Sequence, residues 1–317
     1  MKLKQLLPLI GLAILIYLLT QVDLQAIGEV FISLPPLHIV LSVLSIVPII
    51  LFVNIEWQLI LRKHNIYVSF WYSLKNIFIG YFYGFITPGG FGAYTRALYL
   101  HDETKEPVQK CFVNILIFNT VDYLALLTLG LVGGFVLSSY LPSVFPLFFI
   151  VFLVIIILVI IFLRKETGEA LFTRIIRSEL LSSKWKDTWS TNINRLYQDI
   201  PSFKDLLLPY VIALLGWVAW FTILFFIAKL FAITIPLVSF IFIIAVANVL
   251  ASIPISIYGL GTREASLLWL FSLFTVETSK VISLSLFWFV IMWLTPSIIG
   301  TVVTFYESRK HPKSERV

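Results

Sequence analysis

Charge is scarce in this chain. Asp, Glu, Lys and Arg make up 13% of its 317 residues, where a soluble domain carries roughly 25%. The deficit is concentrated, because the stretches 37–53, 111–121, 141–163 and 281–306 hold no Asp, Glu, Lys or Arg at all. A soluble core at this length could not hide them all, so they are read as membrane segments, each crossing needing about 20 apolar residues. Cysteine is nearly absent too. Cys111 stands alone, which excludes an intramolecular disulfide and a cysteine-based metal site. His38, His64, His101 and His311 are scattered and lack the spacing of a zinc motif. There is no phosphate-binding Walker loop, no nucleophile elbow and no paired-carboxylate cluster. ATP-driven transport by this chain alone is therefore not expected, and neither is an enzyme, a cofactor, a metal or a nucleic-acid partner.

What is present is apolar: 59% of residues are hydrophobic and the mean hydropathy is +0.97. No alternating barrel pattern occurs, so the membrane body is read as helical. Candidate spans are 5–22, 37–61, 71–86, 111–137, 143–163, 206–231, 237–256 and 281–306. The first follows Lys2 and Lys4 as a signal peptide would. Thr20-Gln21-Val22-Asp23 offers no small-residue cleavage pattern, and a retained helix is expected. The whole of 1–317 reads as one integral membrane domain, with a first half at about 37–137 and a second at about 206–306.

Orientation follows from Lys and Arg in the loops. Lys2 and Lys4, Arg62 and Lys63, eight basic residues within 164–205, and the tail from Arg309 to Arg316 mark four basic regions. The loops at 23–36 and 138–146 contain no Lys or Arg. All four basic regions are therefore assigned to the cytoplasm, with both termini there and the cell membrane as the location. Under that assignment 71–110 must begin and end on the cytoplasmic side, as a re-entrant hairpin turning at Thr87-Pro88-Gly89-Gly90-Phe91-Gly92. By the same count 237–276 must begin and end outside, broken near Ile253-Pro254 and Tyr258-Gly259-Leu260-Gly261. A helix, a broken hairpin and a helix, then the same unit upside down, is the inverted-repeat pattern of transporters. The alternative is that one or both hairpins cross fully.

The two breaks carry the chemistry. Glycines let the backbone unwind, which lipid tolerates only where protein or water satisfies the exposed amides. A short helix starting after Gly92 would point its N-terminus into the break, a favourable place for phosphate, with Arg96 one turn in. The plainer reading is a kink with Arg96 reaching the cytoplasmic surface. In the second break Arg263 and Glu264 lie between apolar runs, where ionisable groups are costly and face a cavity or partner. Adjacent on a helix, they point about 100° apart and need not pair. Arg263 is a candidate anion ligand and Glu264 an orienting or proton-carrying group; the plainer reading is a salt bridge that only fixes the fold.

Weaker signals lie elsewhere. Asp122 sits in the 111–137 span, with Asn119 its better-placed helical neighbour and Asn114 off that face. Asn54 and Glu56 lie low in the second span, where Glu56 could pair with a basic neighbour, and Asn248 precedes the second break. Interhelical hydrogen bonding accounts for each. Gly130, Gly133 and Gly134 have the spacing of helix contacts. Within 164–205, Trp185, Trp189, Ile193 and Leu196 follow helical spacing, so the segment reads as an interfacial helix on an anionic cytoplasmic leaflet or as a solvated linker.

At the two breaks the chain resembles the flippase-like family named for the lysylphosphatidylglycerol synthase transmembrane region. The matching residues are Thr87-Pro88-Gly89-Gly90-Phe91-Gly92 with Arg96, Gly259-Leu260-Gly261-Thr262-Arg263-Glu264, and Pro296 to Gly300 in the last span. Asp122 fits a Glu-Arg-x-x-Asp pattern in which Phe118 and Asn119 replace the first two residues. In the second motif Ile257-Tyr258 stand where the family has Pro-Gly. The resemblance implies an all-α, polytopic domain that translocates or handles a lipid, such as lysylphosphatidylglycerol or a polyprenyl-linked sugar. It implies a substrate site at Thr87, Pro88, Gly89, Gly90, Gly92, Arg96, Asp122, Gly259, Gly261, Arg263 and Glu264. The aminoacyl-transferring soluble domain of bifunctional members is absent from the sequence. Two alternative readings stand beside this one: a membrane enzyme transferring a head group, with the Glu264 region as base, and an accessory partner of a lipid-modifying enzyme.

Overall fold

The computed structural model describes residues 24–138, 142, 144–163, 200–252, 259 and 261–310. The expected first helix at 5–22, the aromatic stripe from Trp185 to Leu196, the tail 311–317, and Ile253, Pro254, Ile257, Tyr258 and Leu260 lie outside these residues. Among the described residues the chain is helical throughout, with no strand. Four helical stretches have the length and apolar composition to cross a membrane: Pro36–Lys63, Val108–Val136, Phe203–Leu230 and Thr278–Glu307.

The order begins with α1 (Leu24–Ser33), α2 (Pro36–Leu44) and α3 (Ile46–Lys63). Residues 24–33 are thus helical, where the sequence suggested a loop. The absence of Lys and Arg there bears on sidedness and not on backbone conformation. Then come α4 (Phe70–Phe85), a 3-10 helix (Pro88–Thr95), α5 (Arg96–Thr104), α6 (Val108–Val136) and α7 (Val144–Leu163). The second half holds α8 (Phe203–Leu230), α9 (Leu237–Ala251), α10 (Thr262–Ser272), α11 (Thr278–Phe289), a π-helical turn (Val290–Leu294) and α12 (Thr295–Lys310). Helix α9 stops at Ala251, short of the expected 256. Helix α8 begins inside the 164–205 segment, because Ser202 and Asp205 form a capping box that starts it at Phe203.

Each half contains a helix pair that doubles back. In the first, Tyr72 donates from its hydroxyl to the Tyr99 carbonyl at 2.6 Å, and Asn76 donates to the Arg96 carbonyl at 3.3 Å. A Cβ on Gly92 would sit 2.1 Å from the Tyr83 carbonyl oxygen. Residue numbers fall on α4 as they rise through the 3-10 helix and α5, so the two arms run antiparallel. The second pair does the same: Gly259 lies against Ala251, and the rings of Phe240 and Phe271 are 5.8 Å apart. The returning helices are short. α5 has 9 residues and α10 has 11, about 14 and 16 Å at the α-helical rise.

The helices are apolar on their outer faces as well as in their core. Apolar side chains such as Val47, Leu51 and Ile55 on α3, and Ile150, Val154 and Leu158 on α7, are exposed. Several polar ones are buried. Between α3 and α4, Ser73 donates to Asn54 at 2.7 Å and Gln58 donates to Ser73 at 2.8 Å. Trp57 donates to Asn114 on α6 at 2.9 Å. Lipid offers little hydrophobic drive for helix association, so such bonds and close backbone contacts hold the bundle. Glycine supplies the closest approach. A Cβ at Gly300 of α12 would lie 2.0 Å from the Phe78 carbonyl oxygen of α4. Gly133 of α6 lies similarly against Phe242 of α9, as its helix-contact spacing suggested.

Candidate functional site

The two doubled-back pairs converge on a cavity of about 470 Å³ in the interior of the bundle. Helices α3, α4, α6, α8, α9, α10 and α11, together with the 3-10 helix and α5, all reach it. Its ionisable wall is formed by Glu56, Arg96, Asp122 and Arg263, and its indole wall by Trp217, Trp220, Trp288 and Trp293.

Arg96 begins α5 directly after the 3-10 helix, and so does not lie a turn inside it. Its position follows from Gly80: a Cβ there would come within 2.5 Å of Arg96 Cδ, so the arginine stem occupies the space that a larger residue would fill. The guanidinium lies 5.0 Å from the Trp57 ring centre and 5.3 Å from that of Phe118, within the range of cation–π attraction. At 5% exposure it is an interior group, which overturns the reading of a surface-reaching side chain.

Arg263 and Glu264 pair after all. Arg263 Nη2 is 2.7 Å from Glu264 Oε1, because the two adjacent side chains meet over a third residue, Ser285 of α11. Ser285 Oγ accepts from Arg263 Nε at 3.0 Å and donates to Glu264 Oε1 at 2.6 Å. Glu264 Oε2 accepts the Gly261 amide at 2.5 Å, which starts α10. Gly261 holds φ +86° and Gly259 φ +76°, a region that side chains other than glycine rarely adopt. The cluster fastens the second break to the last span while Arg263 still reaches the cavity wall.

The expected site residues therefore divide. Gly90, Arg96, Asp122, Gly259 and Arg263 line the cavity. Thr87 does not: its hydroxyl accepts the Gly92 amide at 2.6 Å and donates to the Tyr83 carbonyl at 2.8 Å, which ties off the first turn. Pro88 and Gly89 open the 3-10 helix, Gly92 packs on α4, and Gly261 and Glu264 belong to the structural cluster. Asp122 accepts from Trp217 Nε1 of α8 at 3.0 Å, a partner from the other half that helical spacing could not reveal.

Glu56, Asn119 and Asn248, which the sequence places as helix contacts, also line the cavity. Glu56 is 1% exposed, lines the cavity, and its Oε1 has no hydrogen-bond partner among the described residues. Arg96 shares its cavity, but no ion pair to Glu56 is formed among the described residues. The available signal was an ionisable residue inside a span, which by default marks function. No group of three or more His, Cys, Asp and Glu among the described residues is placed to hold a metal ion.

Apolar outer faces, broken helices and a charged interior cavity define a multi-pass membrane protein. The chain belongs to the family of the lysylphosphatidylglycerol synthase TM region, whose model matches residues 5–300. No curated protein sequence matches it.

Proposed function

We propose that the protein translocates an amphiphilic lipid, a phospholipid or a polyprenyl-linked sugar, by admitting its anionic head group to this cavity while the acyl chains stay in the bilayer. The observation that carries the reading is the placement of two arginines, Arg96 and Arg263, on the wall of one interior cavity bounded by breaks in two helix pairs. The cavity's volume of about 470 Å³ falls in the range of small-molecule sites. Buried arginines supply the fork of donors that phosphate geometry matches. In this reading both arginines hold the phosphate, Arg263 while keeping one nitrogen on Glu264 and another on Ser285.

The halves fit an inverted repeat. Arg96 meets Phe118 and Arg263 meets Ser285, each the residue 22 positions further on. Gly133 and Gly300 likewise stand at one common spacing from their arginines, and each packs on the leading helix of the opposite hairpin. Helix α10 alone is too short to cross a hydrocarbon core of about 30 Å, which favours a second hairpin that enters and returns. Both termini are assigned to the cytoplasm of a cell membrane with an anionic inner leaflet, and a lipid-modifying enzyme is the natural partner to supply or consume the lipid.

Reconstitution into vesicles with fluorescent phospholipids and polyprenyl phosphates tests this. The parent should move at least one of them between leaflets, and folded Arg96→Gln should move it far more slowly. Equal rates would refute the assignment of the cavity, and a new covalent lipid product would reassign the protein as an enzyme.

A further inference from the structure

Glu56 is a charged cavity residue whose chemistry the lipid reading does not use. It sits on α3, 1% exposed, with Oε1 lacking a hydrogen-bond partner among the described residues. A carboxylate held this way is costly unless a positive charge joins it. The titratable and charged groups sharing its cavity are Tyr81 of α4, Tyr94 of the 3-10 helix, Arg96 of α5, Asp122 and Tyr123 of α6, and Arg263 of α10. Helices α8, α9 and α11 contribute Trp217, Asn248 and Trp288, none of which titrates. The charge of Arg263 is matched by Glu264 at 2.7 Å. That leaves, among the described lining residues, two carboxylates, Glu56 and Asp122, beside one further arginine, Arg96. Asp122 has a donor in Trp217, and Glu56 Oε1 has none among the described residues.

We propose that Glu56 is the ligand of a small monovalent cation, a proton or a sodium ion, and that this cation enters the cavity together with the anionic head group. The coupled step rests on the lipid reading; the cation site itself does not. Two carboxylates against one arginine already favour one added positive charge, and a phosphate arriving at Arg96 increases that demand. Each ligand then tightens the other by the same factor, about 5- to 150-fold for typical couplings. Asn119 and Asn248 line the same cavity and offer amide oxygens as further sodium ligands; a proton needs only the carboxyl oxygen.

The cavity's own indoles give a readout that requires no lipid. Purified protein in lipid nanodiscs is titrated with sodium chloride at fixed pH, with choline chloride as control, and with pH at fixed sodium. Tryptophan emission is recorded for the parent and for Glu56→Gln. A saturable response to sodium assigns a sodium site, and a response to pH alone assigns a proton site. In either case Glu56→Gln should lose the response. A response undiminished in Glu56→Gln, or a parent that responds to neither ion, overturns the proposal. Should Glu56→Gln not fold, the parent is treated with a hydrophobic carbodiimide, which modifies protonated buried carboxyls. Modification of Glu56 should fall on raising the pH or adding sodium, whereas labelling indifferent to both, or no labelling of Glu56, counts against the site. The two readings fail separately. Lipid movement that ignores sodium and pH leaves the lipid reading intact and removes the cation, while a cation response with no lipid movement does the reverse.

Discussion

Replacing Glu264 with Gln removes the charge that three donors share. Its carboxylate accepts the Gly261 amide at 2.5 Å, Arg263 Nη2 at 2.7 Å and Ser285 Oγ at 2.6 Å. The ion pair is buried, with side-chain exposures of 2% and 0% for Arg263 and Glu264. A glutamine keeps one acceptor oxygen and turns the other position into a donor facing donors. Arg263 is then left as a buried charge without its counterion, and breaking a buried pair from one side costs about 3–5 kcal/mol. The loss should appear as a large drop in the thermal unfolding midpoint in detergent, followed by fluorescence-detected size exclusion. The same physics predicts a partial rescue. Replacing both partners by apolar residues, Arg263→Met with Glu264→Leu, removes the uncompensated charge and should be less damaging than Glu264→Gln alone. A Glu264→Gln protein as stable as the parent, or a double variant worse than the sum of its singles, would refute the assignment of this cluster as a structural fastener.

Gly300→Ala drives a methyl onto the Phe78 carbonyl oxygen, a backbone atom only 2.0 Å from the new Cβ. The misfit should cost at least about 1–3 kcal/mol and lower the unfolding midpoint, while Gly28→Ala, with nothing within 4 Å, should not. Asn114→Leu strips Trp57 Nε1 of its buried acceptor and should destabilise by about 1–3 kcal/mol; Trp57→Phe in the same background should recover part of that loss. By contrast Lys63→Ala breaks a bridge whose side chains are 49% and 37% exposed. Solvent and salt screen such a pair, and the midpoint should stay where it was. Gly80→Val displaces the Arg96 stem and should slow lipid movement even in a variant that elutes as a folded monodisperse protein.

Much of this was legible in the sequence because lipid imposes simple rules. Long uncharged runs had to be helices, and Thr87–Gly92 with Gly259–Gly261 had to interrupt them. Arg96, beside a helix N-terminus, and Arg263, an ionisable group between apolar runs, are candidates from sequence, and both line the cavity. What escaped was tertiary. A salt bridge at Arg263 and Glu264 was the plainer reading of their sequence, but the Ser285 hydroxyl of α11 that both share was not visible there. Trp217 reaches Asp122 from the other half of the chain. Glu56 was treated as a helix contact because its lack of a partner depends on all the elements around it. The capping box at Ser202 and Asp205 was readable but was subsumed in a segment judged by its basic charge.

The central claim is that the interior cavity receives a lipid head group, and photo-crosslinking tests it most directly. A phospholipid and a polyprenyl phosphate, each carrying a diazirine on the head group, are reconstituted with the protein, irradiated and mapped by peptide mass spectrometry. Head-group adducts should fall on cavity-lining residues such as Tyr81, Trp217 and Trp288, and should diminish in Arg96→Gln. Adducts confined to outward-facing residues such as Ile150, Val154 and Leu158 of α7 would contradict the account.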